Sequence, residues 1–517
     1  MMFTNERRLW AGATCILLCV LIYTAAVFAD DQPQWGQRHS RNMVSSETGL
    51  ADSFDPASGK NIKWVVSLGT ETYSTPVVAG GRVFIGTNNN NPRDPRHQGD
   101  RGVLLCLDEK DGSLCWQLVV PKMGTDPYLD WPGAGIVSPA TVEGDRVYIV
   151  SNRGEVMCLD LNGQNNGNDG PYEDEGKNMT PGGTEPLKAA EKDADIIWRF
   201  DIPAQARVHQ HDAAHSSILL DGEFLYVNTS NGLDSRHQSV PEPNAPSLIV
   251  LEKKTGRLAA RDEEHIGPRI FHCTWSSPAS GNVDGRRLVF FGGGDGVCYA
   301  FEAMQSAPAA PALASQEAAG VERLRKVWSF DCDPTGPKEN IGQYRGNRQE
   351  SPSNIKSMPV FHNNRVYVTA GGDIWWGKNQ AWLKCIDAGK TGNITNGGEV
   401  WSYPLNRHCC STVSIYEGLV FVADCSGVVH CVDAQTGKAY WTHQTKGEIW
   451  ASTLVADGKV YIGTRERDFW ILGASKDKKV ISSIELDSPM AGSPVAANGV
   501  LYIATMRKLY AVKKAGE

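Results

Sequence analysis

The chain has 517 residues, 41% hydrophobic and 21% charged, with a formal net charge of −8. That balance is ordinary for a soluble globular protein. An acidic surplus with no long basic run argues against general nucleic-acid binding, and 53 glycines imply a fold rich in tight turns.

At the N-terminus, Arg7 and Arg8 precede an apolar run from Ala13 to Phe28, and Val27-Phe28-Ala29 offers small residues at a cleavage position. This reads as an export signal over residues 1–29, removed in a periplasmic or extracellular protein. The alternative is an uncleaved anchor, which would be the chain's one membrane contact. Residues 30–61 form an N-terminal extension. The first strand-like run follows at 62–68, "IKWVVSL".

From there one pattern recurs eight times, a tight turn and then a short hydrophobic–aromatic–hydrophobic strand. The central aromatics are Phe84, Tyr148, Tyr226, Phe290, Tyr367, Phe421, Tyr461 and Tyr502. A short run carrying Ser-Pro or Ser-x-Pro precedes most copies. An apolar run ending in an acid follows, and after a Thr-Gly or Asp-Gly turn comes a strand bearing an aromatic residue. Four strands per unit and eight units describe an all-β protein, an eight-bladed β-propeller of four-stranded antiparallel blades over 62–512. The last unit runs out at "LYAVKKAGE" without its fourth strand. "IKWVVSL" has that strand's character, so the N-terminal strand is expected to close the last blade. Two loop inserts, 162–195 and 303–325, fall between third and fourth strands and are expected to be mobile.

Past the signal the chain holds 11 cysteines. Cys106, Cys158, Cys385 and Cys431 share one third-strand position, where other units place Val250, Ala300 or Gly473. Equivalent positions in different blades are too far apart to bridge, so these read as small buried hydrophobes. Cys409 and Cys410 instead sit where one unit passes into the innermost strand of the next, on the upper face. No Cys-x-x-Cys-His occurs, so no c-type haem is expected.

The stretches "VDAQTGKAYW" at 432–441 and "LDEKDGSLCW" at 107–116 resemble the tryptophan-docking repeat of pyrroloquinoline quinone (PQQ) propellers. That group includes quinoprotein alcohol dehydrogenases and the propeller subunit of the outer-membrane protein assembly machinery. The resemblance covers roughly Ile62 to Val512 and is closer still to secreted PQQ-like repeat proteins of unassigned activity. It implies PQQ and Ca²⁺ as candidate cofactors. It also implies that Cys409–Cys410 could form a vicinal disulfide stacked on the cofactor. The alternative is a pair in which one thiol packs and the other faces water.

The repeat map lists what else faces the upper funnel. The connections into innermost strands supply Trp131, Trp275, Lys356 and Trp450. The hairpins between second and third strands supply Arg236, Trp375, Trp376, Arg465 and Arg467. Aromatic plates with cations suit a flat anionic ligand. PQQ, an acidic peptide or a sugar acid would each fit. Asp295, Asp373 and Asp424 are candidates by position for the carboxylates of a dehydrogenase site, although the rest of that metal-and-base set is not evident. His209, His211 and His215 form a His-x-His-x-x-x-His group with zinc- or copper-binding chemistry, set against ordinary surface histidines. Asp160, Asn162, Asn166, Asn168 and Asp169 stack hard oxygen donors, as in a calcium loop without its bidentate Glu. Two functions follow as expectations. One is a binding or scaffold module engaging a protein or a small anionic, planar ligand. The other is a PQQ-dependent alcohol or sugar dehydrogenase without its own haem.

Overall fold

The structure, a computed structural model, describes residues 30–124, 126–212, 217–306 and 320–515. The expected signal at 1–29 and His215 lie outside the described residues. Eight antiparallel sheets form the blades of a propeller. Blade one is typical: Val77–Ala79, Arg82–Asn88, Arg101–Asp108 and Leu114–Pro121, in chain order from the axis outward. Blade eight combines Val495–Ala497, Val500–Ala504 and Lys508–Val512 with Ile62–Ser67 from the chain start, Trp64 lying opposite Ala511. The ring therefore closes as the leftover strands predict, and no blade keeps an open lateral edge at the seam. Among the described residues no helix is long and apolar enough to cross a membrane.

Each blade carries a transverse row of side chains through its three outer strands. In blade one Phe84 lies opposite Cys106, and Cys106 opposite Trp116. The same row reads Tyr148, Cys158, Trp198 in blade two and Tyr367, Cys385, Trp401 in blade five. The small central residue lets the two rings approach: Phe84 and Trp116 are 6.0 Å apart, Tyr367 and Trp401 5.8 Å. The cysteines at this position are buried and, like all the described cysteines, unbridged. In blade seven the position belongs to Ile471, paired with Tyr461 and Ser482, and not to Gly473. A count back from the terminal acid misplaces it because that strand does not end in one.

The two inserts do more than loop out. Residues from the connection between third and fourth strands reach back to the outer strand of the preceding blade. Asp193 bridges Gln117 of blade one, Glu322–Arg323 pairs with blade three, and Gly392–Asn393 with blade four, all in parallel. The first insert is also packed against its own blade, with Glu175, Asn178 and Met179 buried. Lateral edges that would otherwise template aggregation are covered this way.

Residues 30–47 close the axis. Innermost strands of a propeller leave backbone N–H groups facing the central channel, and buried donors require partners. Val78 and Val142 donate to the carbonyls of Gln32 and Pro33, Ser280 and Phe361 to those of His39 and Ser40, and Val455 to that of Met43. Ile415 donates to the Asn42 side chain at 2.8 Å, and Gly499 to Glu47. Arg41, fully buried, donates to the carbonyls of Trp35, Ser217 and Pro278 and to the Ser217 hydroxyl at 2.9–3.1 Å. The extension thus threads the propeller axis and contacts every blade.

Candidate functional site

The upper funnel holds a cavity of about 440 Å³. Its floor includes Trp35 from the axial segment. Its walls come from blade-to-blade connections (Tyr73, Tyr128, Trp131, Asp212, His272, Trp275, Lys356, Cys410, Trp450) and from two hairpins (His237, Trp375, Trp376). An aromatic, mostly apolar cavity with a few converging polar groups is the usual form of a small-ligand site. A second cleft of about 370 Å³ adjoins it through Tyr73 and carries Arg465, Arg467 and Arg507. The Arg465 guanidinium lies over Trp450, 4.7 Å from the ring centroid, and 5.8 Å from that of Tyr73.

Beneath the pocket sits a buried polar chain. The Lys356 ammonium is 4.0 Å from the Trp275 centroid and 3.0 Å from Asp373 Oδ2. The same carboxylate oxygen accepts from His272 Nδ1 at 3.0 Å and from Asn354 Nδ2 at 3.1 Å. Asp373 Oδ1 accepts the backbone N–H groups of Trp375 and Trp376, each at 3.0 Å, which fixes the two indoles at the rim. Burial alone would raise the Asp373 carboxyl, but Lys356 and His272 outweigh it and hold it well below the usual range. Burial would likewise depress Lys356, and Asp373 reverses this. His272 Nε2 faces His211 Nε2 at 3.1 Å, and His211 Nδ1 donates to the Leu233 carbonyl at 2.8 Å. Burial and then the neighbouring His272 push His211 down to about 2, so its imidazole is neutral.

The structure sorts the residues expected from sequence. Trp131, Trp275, Trp375, Trp376, Trp450, Lys356 and Cys410 line the pocket. Arg465 and Arg467 line the adjoining cleft, Arg467 also pairing with Glu485 at 2.9 Å. Arg236 is exposed and lines neither. Cys409 turns away from the pocket, its thiol 2.9 Å from the Ala423 carbonyl inside blade six. Cys410 lines the pocket beside Cys425, whose thiol donates to the Ile449 carbonyl at 3.4 Å, and Cys409 and Cys410 are unbridged. Of the three aspartates only Asp373 approaches the pocket. Asp295 is held by Arg269, Tyr299 and the Val297 N–H. Asp424 is held by His430, Ser426 and the Asn406 N–H.

Of the motif histidines, His209 and His211 lie among the described residues and part company. His211 turns inward, while the backbone N–H of the half-buried His209 donates to Asn231 Oδ1. The oxygen-rich loop does not converge either. Asp160 pairs with Arg146 at 2.7 Å, its other oxygen accepts the Asn162 N–H, Asn166 donates to Asp169, and Asn168 donates to Glu175. A strand-ending Asp that caps its own turn leaves no cage for a cation. Sequence reasoning missed Trp35, Tyr128, Asp212 and His272 in these roles. His272 shares a connection with Trp275, so the repeat register does contain a pointer to it.

The donors present do not fit a calcium-assisted quinone centre. Calcium takes six to eight oxygens, whereas among the described residues Asp212 is the one carboxylate on the pocket wall. Asp295, Asp373 and Asp424 have both oxygens engaged within the protein.

Comparison with known proteins agrees with the repeat. The family model described as outer membrane protein assembly factor BamB matches residues 39–164 and 379–476. Quinohemoprotein alcohol dehydrogenase ADH IIB of Pseudomonas putida is 24% identical over 173 residues, 30% of this chain and 21% of the relative. The dehydrogenase subunit of the quinone alcohol dehydrogenase of Gluconobacter oxydans is 27% identical over 175 residues, 30% and 19% of the two chains. The chain thus aligns with about a fifth of the length of these relatives. In fold it is similar to the crystal structure of BamB from Moraxella catarrhalis (TM-score 0.51, 12% identity, 87% of this chain and 96% of that one). It is also similar to a europium-containing methanol dehydrogenase (TM-score 0.56, 12% identity, 92% and 89%). Repeat, rows and closure together make this chain an eight-bladed propeller built on the PQQ-like repeat.

Proposed function

We propose that this chain is an exported binding module whose upper funnel takes a small, planar, anionic ligand. The observation that carries the reading is the pocket itself, an aromatic cavity with the Lys356 ammonium over Trp275 that opens beside an arginine cleft. Flat rings gain by stacking on the indoles, and carboxylates gain charge-assisted hydrogen bonds from Arg465 and its neighbours. PQQ, the planar tricarboxylate of the propellers whose repeat this chain resembles, is such a molecule, which makes it the first probe. The dehydrogenase reading asks for free carboxylates beside the quinone, and these are committed elsewhere. Export follows the expected N-terminal signal and agrees with a family model named for an outer-membrane assembly factor.

The test is a titration of the full chain with PQQ, read by tryptophan fluorescence. Saturable quenching at one ligand per chain is expected, weakened about tenfold by Trp375→Ala and by Arg465→Ala, the loss of one stacked or charge-assisted contact. No quenching at micromolar PQQ by a folded protein would remove PQQ as the ligand, and the dehydrogenase reading with it. Dye-linked alcohol oxidation after reconstitution with PQQ and Ca²⁺ would replace the binding module with the dehydrogenase.

A further inference from the structure

We propose that His211, His237 and His272, with Asp212 at their edge, form a binding site for a transition-metal ion such as Zn²⁺ in the wall of the funnel. The three imidazoles come from different segments. His211 lies in the connection from blade two to blade three, His237 in a blade-three hairpin, and His272 in the connection to blade four. Their ring centroids lie 4.9–5.6 Å apart, and one nitrogen from each falls within 4.8 Å of the others.

Outer partners fix two of the three rings. A carbonyl can only accept, so the Leu233 oxygen places a proton on His211 Nδ1. The Asp373 carboxylate does the same for His272 Nδ1. Metal-bound histidines are commonly held this way, by a carbonyl or carboxylate on the far nitrogen. The consequence is that two Nε2 lone pairs meet at 3.1 Å inside a buried cluster. Such a pair requires a cation between the nitrogens, either a metal ion or a shared proton. Tetrahedral zinc with bonds near 2.05 Å would set its nitrogens about 3.3 Å apart. Asp212 lies at the edge of the cluster as the nearest carboxylate for a fourth position, its Oδ1 3.7 Å from His211 Nε2 and its Oδ2 3.6 Å from His272 Nε2.

The donor set also selects the ion. Three neutral imidazoles and one carboxylate suit zinc or copper and not calcium or magnesium, which prefer oxygen. Asp212, His237 and His272 all line the cavity, so an ion held here would face whatever occupies it. The site rests on its own geometry and stands whether or not PQQ binds.

The experiment uses full-length protein without a polyhistidine tag, stripped with a chelator and titrated with Zn²⁺ by calorimetry. Co²⁺ serves as the spectroscopic probe. One equivalent per chain is expected, with the visible bands of four-coordinate cobalt. His272→Ala and His237→Ala should each weaken zinc binding about 100-fold or more, while His209→Ala leaves it unchanged. His237 lies on a hairpin at the pocket rim, and thermal melting of its variant separates loss of the site from loss of fold. Absence of stoichiometric zinc, or equal binding by a folded His237→Ala chain, would overturn the proposal and assign the 3.1 Å contact to a shared proton.

Discussion

Cys409 and Cys410 are consecutive in the chain and part company in space. One side chain enters the core of blade six and the other reaches the funnel, as neighbours in an extended segment do. Their chemistry diverges accordingly. The neighbouring Cys425 and then Lys356 hold the Cys410 thiol below its ordinary value, while burial raises Cys409. The thiolate is the reactive form, so iodoacetamide should label Cys410 far faster than Cys409, with a rate that climbs at a pH below that of a free thiol. Cys115, lowered to about 7 by the Cys106 thiol, is the internal comparison. A ligand in the funnel should protect Cys410 and leave Cys115 exposed to the reagent. Peptide mapping that found Cys409 labelled first, or a bridge between 409 and 410, would contradict this assignment.

At the scale of the element, the recurring device is an indole docked on the next blade. Six outer-strand tryptophans donate Nε1–H to a turn carbonyl of the following unit: Trp64 to Glu109, Trp116 to Leu161, Trp198 to Lys253, Trp328 to Ala388, Trp401 to Ala434 and Trp441 to Ser475. Blades three and seven, on opposite sides of the ring, have Ala260 and Ser482 in that position. In four of the six the ring lies against a turn glycine of positive φ: Trp64 on Gly112, Trp116 on Gly163, Trp198 on Gly256 and Trp401 on Gly437. A Cβ on Gly437 would lie 2.6 Å from Trp401, and one on Gly418, with a similar positive φ, would meet nothing within 4 Å. Gly418→Ala should therefore cost about 1 kcal/mol for the left-handed backbone. Gly437→Ala should cost about 2–4 kcal/mol, because overpacking adds to that term. Chemical denaturation of the two variants side by side reads the difference, and equal losses would mean the docked indole moves aside freely. These elements were legible in the chain because they recur: aromatic strand, acid, Thr-Gly or Asp-Gly, tryptophan. The funnel was legible only as a list of addresses. Convergence of His211, His237 and His272 depends on three connections of unequal length, and no period in the sequence encodes it.

For the whole molecule the question is what stops eight blades from sliding about an open axis. A ring closed by Ile62–Ser67 secures the circumference, yet the innermost strands would still present unpaired N–H groups to the channel. The segment 30–47 answers them in turn around the axis, although its sequence has no strand or helix period and reads as a mere extension. Arg41 is its anchor. One fully buried guanidinium ties the Trp35 carbonyl to Ser217 at the start of blade three and to Pro278 before blade four. Arg41→Ala removes the guanidinium donors from the buried Trp35 and Pro278 carbonyls, and hydrogen bonds from a charged group contribute about 1.5–3 kcal/mol each before relaxation. A loss of about 3–5 kcal/mol is expected, felt by the whole ring as one cooperative transition. Arg38→Ala removes a largely exposed pair with Glu143 and should change stability by under about 1 kcal/mol. Because Trp35 forms the pocket floor, the Arg41 variant should also bind a funnel ligand more weakly at temperatures where it remains folded. Denaturation midpoints for Arg41→Ala and Arg38→Ala that coincide would show the segment to be a passive tail, and the propeller to hold its axis by blade packing alone.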